Sequence, residues 1–173
     1  MESPIPYGTV VSDADIRTIS FTLRLPQPVE EVWAAVAGPE GLPGWLAAAD
    51  PFERHEGGRI TLRWLNTNAS GRSTVAAGRV TGWGPTRLAE YTVAVHGRIR
   101  FEIAPDPDRR TGTRLRFTNE LETPDSAVLA NLAGWHQHFE YLTEALAGRP
   151  VDWSTWNLGR WRALYEEYER VAA

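Results

Sequence analysis

The sequence predicts an α+β domain in which a curved antiparallel sheet holds one long helix near the C-terminal end. Three observations carry that prediction. Val128, Leu132, Trp135, Phe139, Leu142 and Leu146 recur at alternating steps of four and three, which puts all six on one narrow face of a helix from about Asp125 to Ala147. Most of the chain before it alternates apolar and polar residues with period two, as half-buried strands do. Turn signals separate those runs every eight to twelve residues, the spacing of an antiparallel meander. A helix with one greasy face that follows a run of strands needs a sheet to lie on.

The elements follow in order. Residues 1–14 carry prolines and a glycine without periodicity and read as a flexible leader. Ile19, Phe21, Leu23 and Leu25 alternate with Thr18, Ser20, Thr22 and Arg24 in a strand that Pro26 and Pro28 stop. Val29, Val32, Trp33 and Val36 have helical spacing, with Glu30 and Glu31 in the first turn where the helix dipole favours acids. Pro39 to Leu46 reads as a short helix or turn that carries Leu42 and Trp45 inward. Glu56-Gly57-Gly58-Arg59 is a tight turn before a strand of Ile60, Leu62 and Trp64, and Asn66 to Arg72 a polar hairpin loop. Strands follow over Thr74–Trp83, over Ala89, Tyr91, Val93 and Val95, over Ile99, Phe101 and Ile103, and over Leu115, Phe117, Asn119 and Leu121. These elements and the long helix make one domain over 15–148. An extension over 149–173 brings Leu158, Trp161, Tyr165 and Tyr168 to one face of a terminal helix that packs back on the domain.

Composition excludes several functions. The net charge is −4 and the arginines are scattered, so a nucleic-acid footprint is absent. With no cysteine, the chain has no disulfide, thiol catalysis or thiolate metal site. No apolar run approaches the ~20 residues of a membrane span, and the N-terminus has no signal-peptide core, so the expectation is a cytoplasmic protein. His136 and His138 are two apart on a helix and diverge, so metal binding is not expected, and no cofactor is called for. No nucleophile elbow or phosphate-cradling glycine motif is visible.

The order of strand, two short helices, about six strands and one long helix is that of the helix-grip fold. Five short motifs lie along it: Val29-Glu30-Glu31-Val32-Trp33-Ala34-Ala35, Glu56-Gly57-Gly58-Arg59, Gly78-Arg79-Val80 with Pro85-Thr86-Arg87-Leu88, Gly112-Thr113-Arg114-Leu115, and Gly134-Trp135-His136. Together they resemble the successive landmarks of the START-like (SRPBCC) superfamily over about Ile16 to Gly148. The set is most similar to the branch named after the activator of the heat shock protein 90 ATPase. The resemblance implies the fold. For function it admits a small-molecule carrier, a chaperone-linked domain with a chaperone or other protein partner, or a polyketide cyclase-like enzyme.

The leading expectation is a protein that binds a mainly apolar small molecule between the long helix and the sheet, with binding favoured over catalysis. Pockets of this kind hold ~300–1,000 Å³ with a few polar anchors. The residues expected to line it are Trp45, Trp64, Tyr91, Phe101, Phe117, Trp135, Phe139 and Leu142, with His138 at the rim. Asn119 shares an inward strand face with Phe117 and is expected as the polar anchor, so that its replacement by Leu would change ligand preference more than stability. Glu90 is a second polar candidate if the opposite strand face points inward.

Overall fold

The computed structural model describes residues 5–66 and 73–172. Its eight antiparallel strands are β1 (Thr9–Asp13), β2 (Ile16–Leu25), β3 (Ala47–Phe52), β4 (Arg59–Trp64), β5 (Val75–Gly84), β6 (Leu88–Val93), β7 (Gly97–Pro105) and β8 (Thr113–Glu122). They form one curved sheet in the order β1-β2-β8-β7-β6-β5-β4-β3. Helix α1 spans Val29–Ala37, and a turn of 3₁₀ helix over Leu42–Gly44 follows it. The long helix α2 (Val128–Leu146) lies on the sheet in the helix-grip arrangement, and α3 (Gly159–Ala172) ends the described chain.

The period-two pattern sets the inner face. Phe21 pairs with Phe117, and Phe117 with Phe101, so one row of rings crosses β2, β8 and β7. From the opposite side α2 lowers Phe139 onto this row, 4.9 Å from Phe117 and 5.1 Å from Phe21 between ring centres. Leu132, Trp135, Phe139 and Leu142 are buried, which bears out the face read from their spacing. Trp45 stacks on Phe139 at 6.0 Å and donates its indole N–H to the Ala35 carbonyl at 2.8 Å. Tyr91 donates its hydroxyl to the Val36 carbonyl at 2.8 Å. These two bonds tie the α1 end to the core without leaving a polar atom unpaired.

Two strands, β1 and β3, add to those the sequence pattern predicts. Thr9–Asp13, within the expected flexible leader, pairs with β2 from Thr9 opposite Ser20 to Asp13 opposite Ile16. It is an edge strand, largely exposed, so its residues show no apolar alternation to read. Ala47–Phe52 pairs with β4, but the register shifts between Ala49 and Phe52, where Pro51 has no N–H to offer the ladder. Val95, expected on a strand, instead sits exposed in the β6–β7 turn with φ +67°. The hairpin loop expected from Asn66 to Arg72 lies outside the described residues except for Asn66.

The terminal helix begins at Gly159, after a turn over Trp153–Thr155. It docks on the outer flank of α2. Arg160 grips Glu140 through two bonds of 2.9 and 2.6 Å, and Leu164 and Tyr168 are buried beneath it. The Tyr168 hydroxyl receives the Gly8 N–H at 2.9 Å and shares a hydrogen bond of 2.8 Å with His136 Nδ1. The N-terminal segment, α2 and α3 therefore meet at one buried hydroxyl. No helix among the described residues is long and apolar enough to cross a membrane.

Candidate functional site

The centre of the grip is closed. Trp45, Tyr91, Phe101, Phe117, Phe139 and Leu142, all expected to line a cavity, are sealed from solvent. Their rings touch one another: Phe101 lies 5.3 Å from Phe117, Trp45 5.9 Å from Phe101, and Tyr91 6.3 Å from Phe101. Large aromatic side chains from both layers occupy the volume that curvature opens between helix and sheet. Burial holds the Tyr91 hydroxyl far above the usual phenol range, so it stays protonated.

The open space is displaced to one end, as a pocket of about 230 Å³. Trp64 at the end of β4 and His96 in the β6–β7 turn form one wall, stacked at 4.1 Å with their planes 20° apart. Helix α2 supplies Gly134, Trp135, Gln137 and His138 to the facing wall, and Trp156, Leu158 and Trp161 of the C-terminal segment close the third side. Of the residues expected at a binding site, Trp64, Trp135 and His138 meet here. Asn66, His96, Gly134, Trp156 and Trp161 were not anticipated. One signal was available for Gly134: a glycine inside a helix costs about 1 kcal/mol relative to alanine, and no cap explains it. A Cβ there would meet only Trp161 Nε1, at 4.0 Å, so packing does not demand glycine; its effect is to keep the pocket wall open.

Asn119 stands behind the wall, not on it. Its amide N–H groups reach the His96 and Arg98 carbonyls at 2.7 and 3.1 Å, and its carbonyl accepts the Trp135 indole N–H at 3.1 Å. It thereby joins the two sides of the pocket, holding the His96 turn and the Trp135 ring in one register. Glu90 faces away from α2, as Ala89, Tyr91 and Val93 take the inner face. It accepts from Thr81 at 2.8 Å and from Arg100 at 2.7 Å on the outer side of the sheet.

The two pocket histidines are neutral at ordinary pH. His138 is buried, and desolvation pushes it from 6.5 down to about 4, against a bond between Nδ1 and the Trp45 carbonyl at 2.9 Å. A carbonyl only accepts, so Nδ1 carries the proton and Nε2 is left as an acceptor. Burial lowers His96 as well. Between pH 6.5 and 4 the unfolded chain binds a proton at residue 138 that the folded chain refuses. Stability from this group is therefore complete above pH 6.5 and falls on acidification, by about 2 kcal/mol between pH 7 and 4.5. Denaturant melts of the parent and His138→Gln at both pH values should show a shallower loss in the variant.

A wider depression of about 610 Å³ at Asp15, Val95 and Glu122 has no aromatic wall. Among the described residues no three His, Cys, Asp or Glu side chains gather as a metal site requires.

Residues 26–147 match the model of the family described as Activator of Hsp90 ATPase homolog 1-like protein. The chain belongs to that family. The match ends one residue beyond α2, so within this family member the β4, β6–β7 and α2 walls of the pocket lie inside the matched region and Trp156, Leu158 and Trp161 outside it. Solved structures with the same fold include CalU16 from Micromonospora echinospora, 16% identical over 95% of this chain and 94% of that one, with a TM-score of 0.65. DynU16, a protein of the dynemicin biosynthetic locus, is 19% identical over 80% of this chain and 49% of its own, with a TM-score of 0.64. A Rhodobacter sphaeroides protein is 22% identical over 82% and 98%, with a TM-score of 0.63. No curated protein matches the chain.

Proposed function

We propose that this family member is a small-molecule binding protein whose ligand occupies the end pocket between α2, the Trp64–His96 wall and the C-terminal segment. The observation that carries the reading is a pocket walled by Trp64, Trp135, Trp156 and Trp161 in a domain whose centre is otherwise packed shut. Its volume of about 230 Å³ falls below the common range for ligand sites, which favours a compact ring system over a sterol or an extended lipid chain. Binding is favoured over catalysis because burial makes both pocket histidines weak bases near neutral pH, where a general base would need the opposite tuning.

Tryptophan emission tests this directly, since the pocket wall is largely indole. Titration with compact aromatic compounds should quench or shift the emission saturably, and native mass spectrometry of protein from its own host should show a retained small molecule. If no compound alters emission and nothing is retained, the binding reading fails. The chaperone-linked role suggested by the family match would then take its place.

A further inference from the structure

Six buried side-chain polar atoms lack a hydrogen-bond partner among the described residues, and three of them stand on the one pocket: Asn66 Oδ1, His96 Nε2 and Trp156 Nε1. Buried polar atoms are nearly always paired, so a cluster of exceptions marks where something else supplies the partner. Trp156 Nε1 leans on the Tyr141 hydroxyl, already engaged by Gln137 at 2.8 Å, without reaching hydrogen-bond geometry. Asn66 Oδ1 and His96 Nε2 remain.

Resting on the binding role proposed above, we infer that the ligand is a neutral, planar ring compound bearing a hydroxyl, a phenol or an enol, which binds Asn66 and His96. The first argument is charge. The described lining contains no Arg, Lys, Asp or Glu, and the histidines are held neutral, so nothing there balances an ionised ligand. The second is hydrogen-bond capacity. Asn66 Oδ1 accepts only, while His96 Nε2 in its protonated tautomer donates; a hydroxyl donates to the one and accepts from the other. An ether or a ketone leaves Asn66 unpaired, and a hydrocarbon leaves both. The third is shape. The Trp64–His96 pair presents a stacked face, and the volume equals that of roughly eight liquid waters, enough for one or two fused rings.

Three probes of nearly equal shape separate the possibilities: 2-naphthol, 2-methoxynaphthalene and naphthalene, each titrated into the full chain by tryptophan fluorescence. The naphthol is expected to bind about tenfold or more tightly than either of the others, the value of one buried polar pairing. Asn66→Leu and His96→Phe should each reduce that preference while leaving naphthalene affinity within about twofold, with thermal melts confirming that both variants fold. Equal binding of all three probes by the parent would overturn the hydroxyl inference and leave the binding role standing, with water as the partner of the two atoms. Absence of binding by all three up to their solubility limits would overturn the hydroxyl inference, and the binding role with it only if native mass spectrometry also shows no retained small molecule.

Discussion

Phe139→Ala is expected to destabilise the fold by about 3–5 kcal/mol, the cost of removing a fully enclosed aromatic side chain. Phe139 is sealed from solvent and touches Phe21, Trp45, Phe117 and Trp135, so its ring joins α2 to β2, β8 and the turn after α1. Four rigid rings cannot collapse into the space it would vacate, which places the loss toward the upper end of the range. Urea melts of parent and variant check the figure. A loss of 1 kcal/mol or so would mean that Phe139 borders open space and that the centre of the grip is a cavity after all.

Asn119→Leu is expected to cost a comparable amount, about 3–5 kcal/mol. Leucine matches the amide in size but offers nothing to the Trp135 indole N–H or to the His96 and Arg98 carbonyls, which Asn119 pairs in the parent. Each buried group left without a partner costs about 1–3 kcal/mol. This differs from what the sequence suggested for the residue, a change in ligand preference greater than the change in stability. Its position on an inward strand face was legible. That its partners would be a turn carbonyl and an indole from α2 was not, because both come from segments remote in the chain.

The fold was readable where burial imposes a period. The alternation in β2, β7 and β8 reports one buried face and is found as expected. In α2 the face through Leu132, Trp135, Phe139 and Leu142 is buried, but so are His136, Gln137 and His138, whose flanks Tyr168 and Trp153 cover. Strands β1 and β3 gave no such signal, one being an exposed edge and the other broken at Pro51. The site was less legible for a different reason. Aromatic residues on inward faces point to the same sequence pattern whether they line a cavity or fill it, and here Trp45, Phe101, Phe117 and Phe139 fill it. The pocket depends instead on how far the C-terminal segment lies from α2. Val151 N–H bonds the Gly44 carbonyl at 3.0 Å and Trp153 Nε1 bonds the Pro43 carbonyl at 2.7 Å, anchoring the segment before it reaches Trp156. No local pattern announces a spacing between two helices set by such remote anchors.

Gly134→Leu tests the pocket as the binding site most directly. The position faces the pocket from the middle of α2, with no atom closer than 4.0 Å to a modest side chain's first carbon. Leucine is the better helix residue by about 0.8 kcal/mol, so the variant should melt at or above the parent's temperature. Its side chain should at the same time occupy the space between Trp135 and Trp161 that a ligand requires. The predicted result is an undiminished melting temperature with loss of the saturable fluorescence response to aromatic ligands. A Gly134→Leu protein that folds and still binds with parental affinity would contradict the placement of the ligand in this pocket.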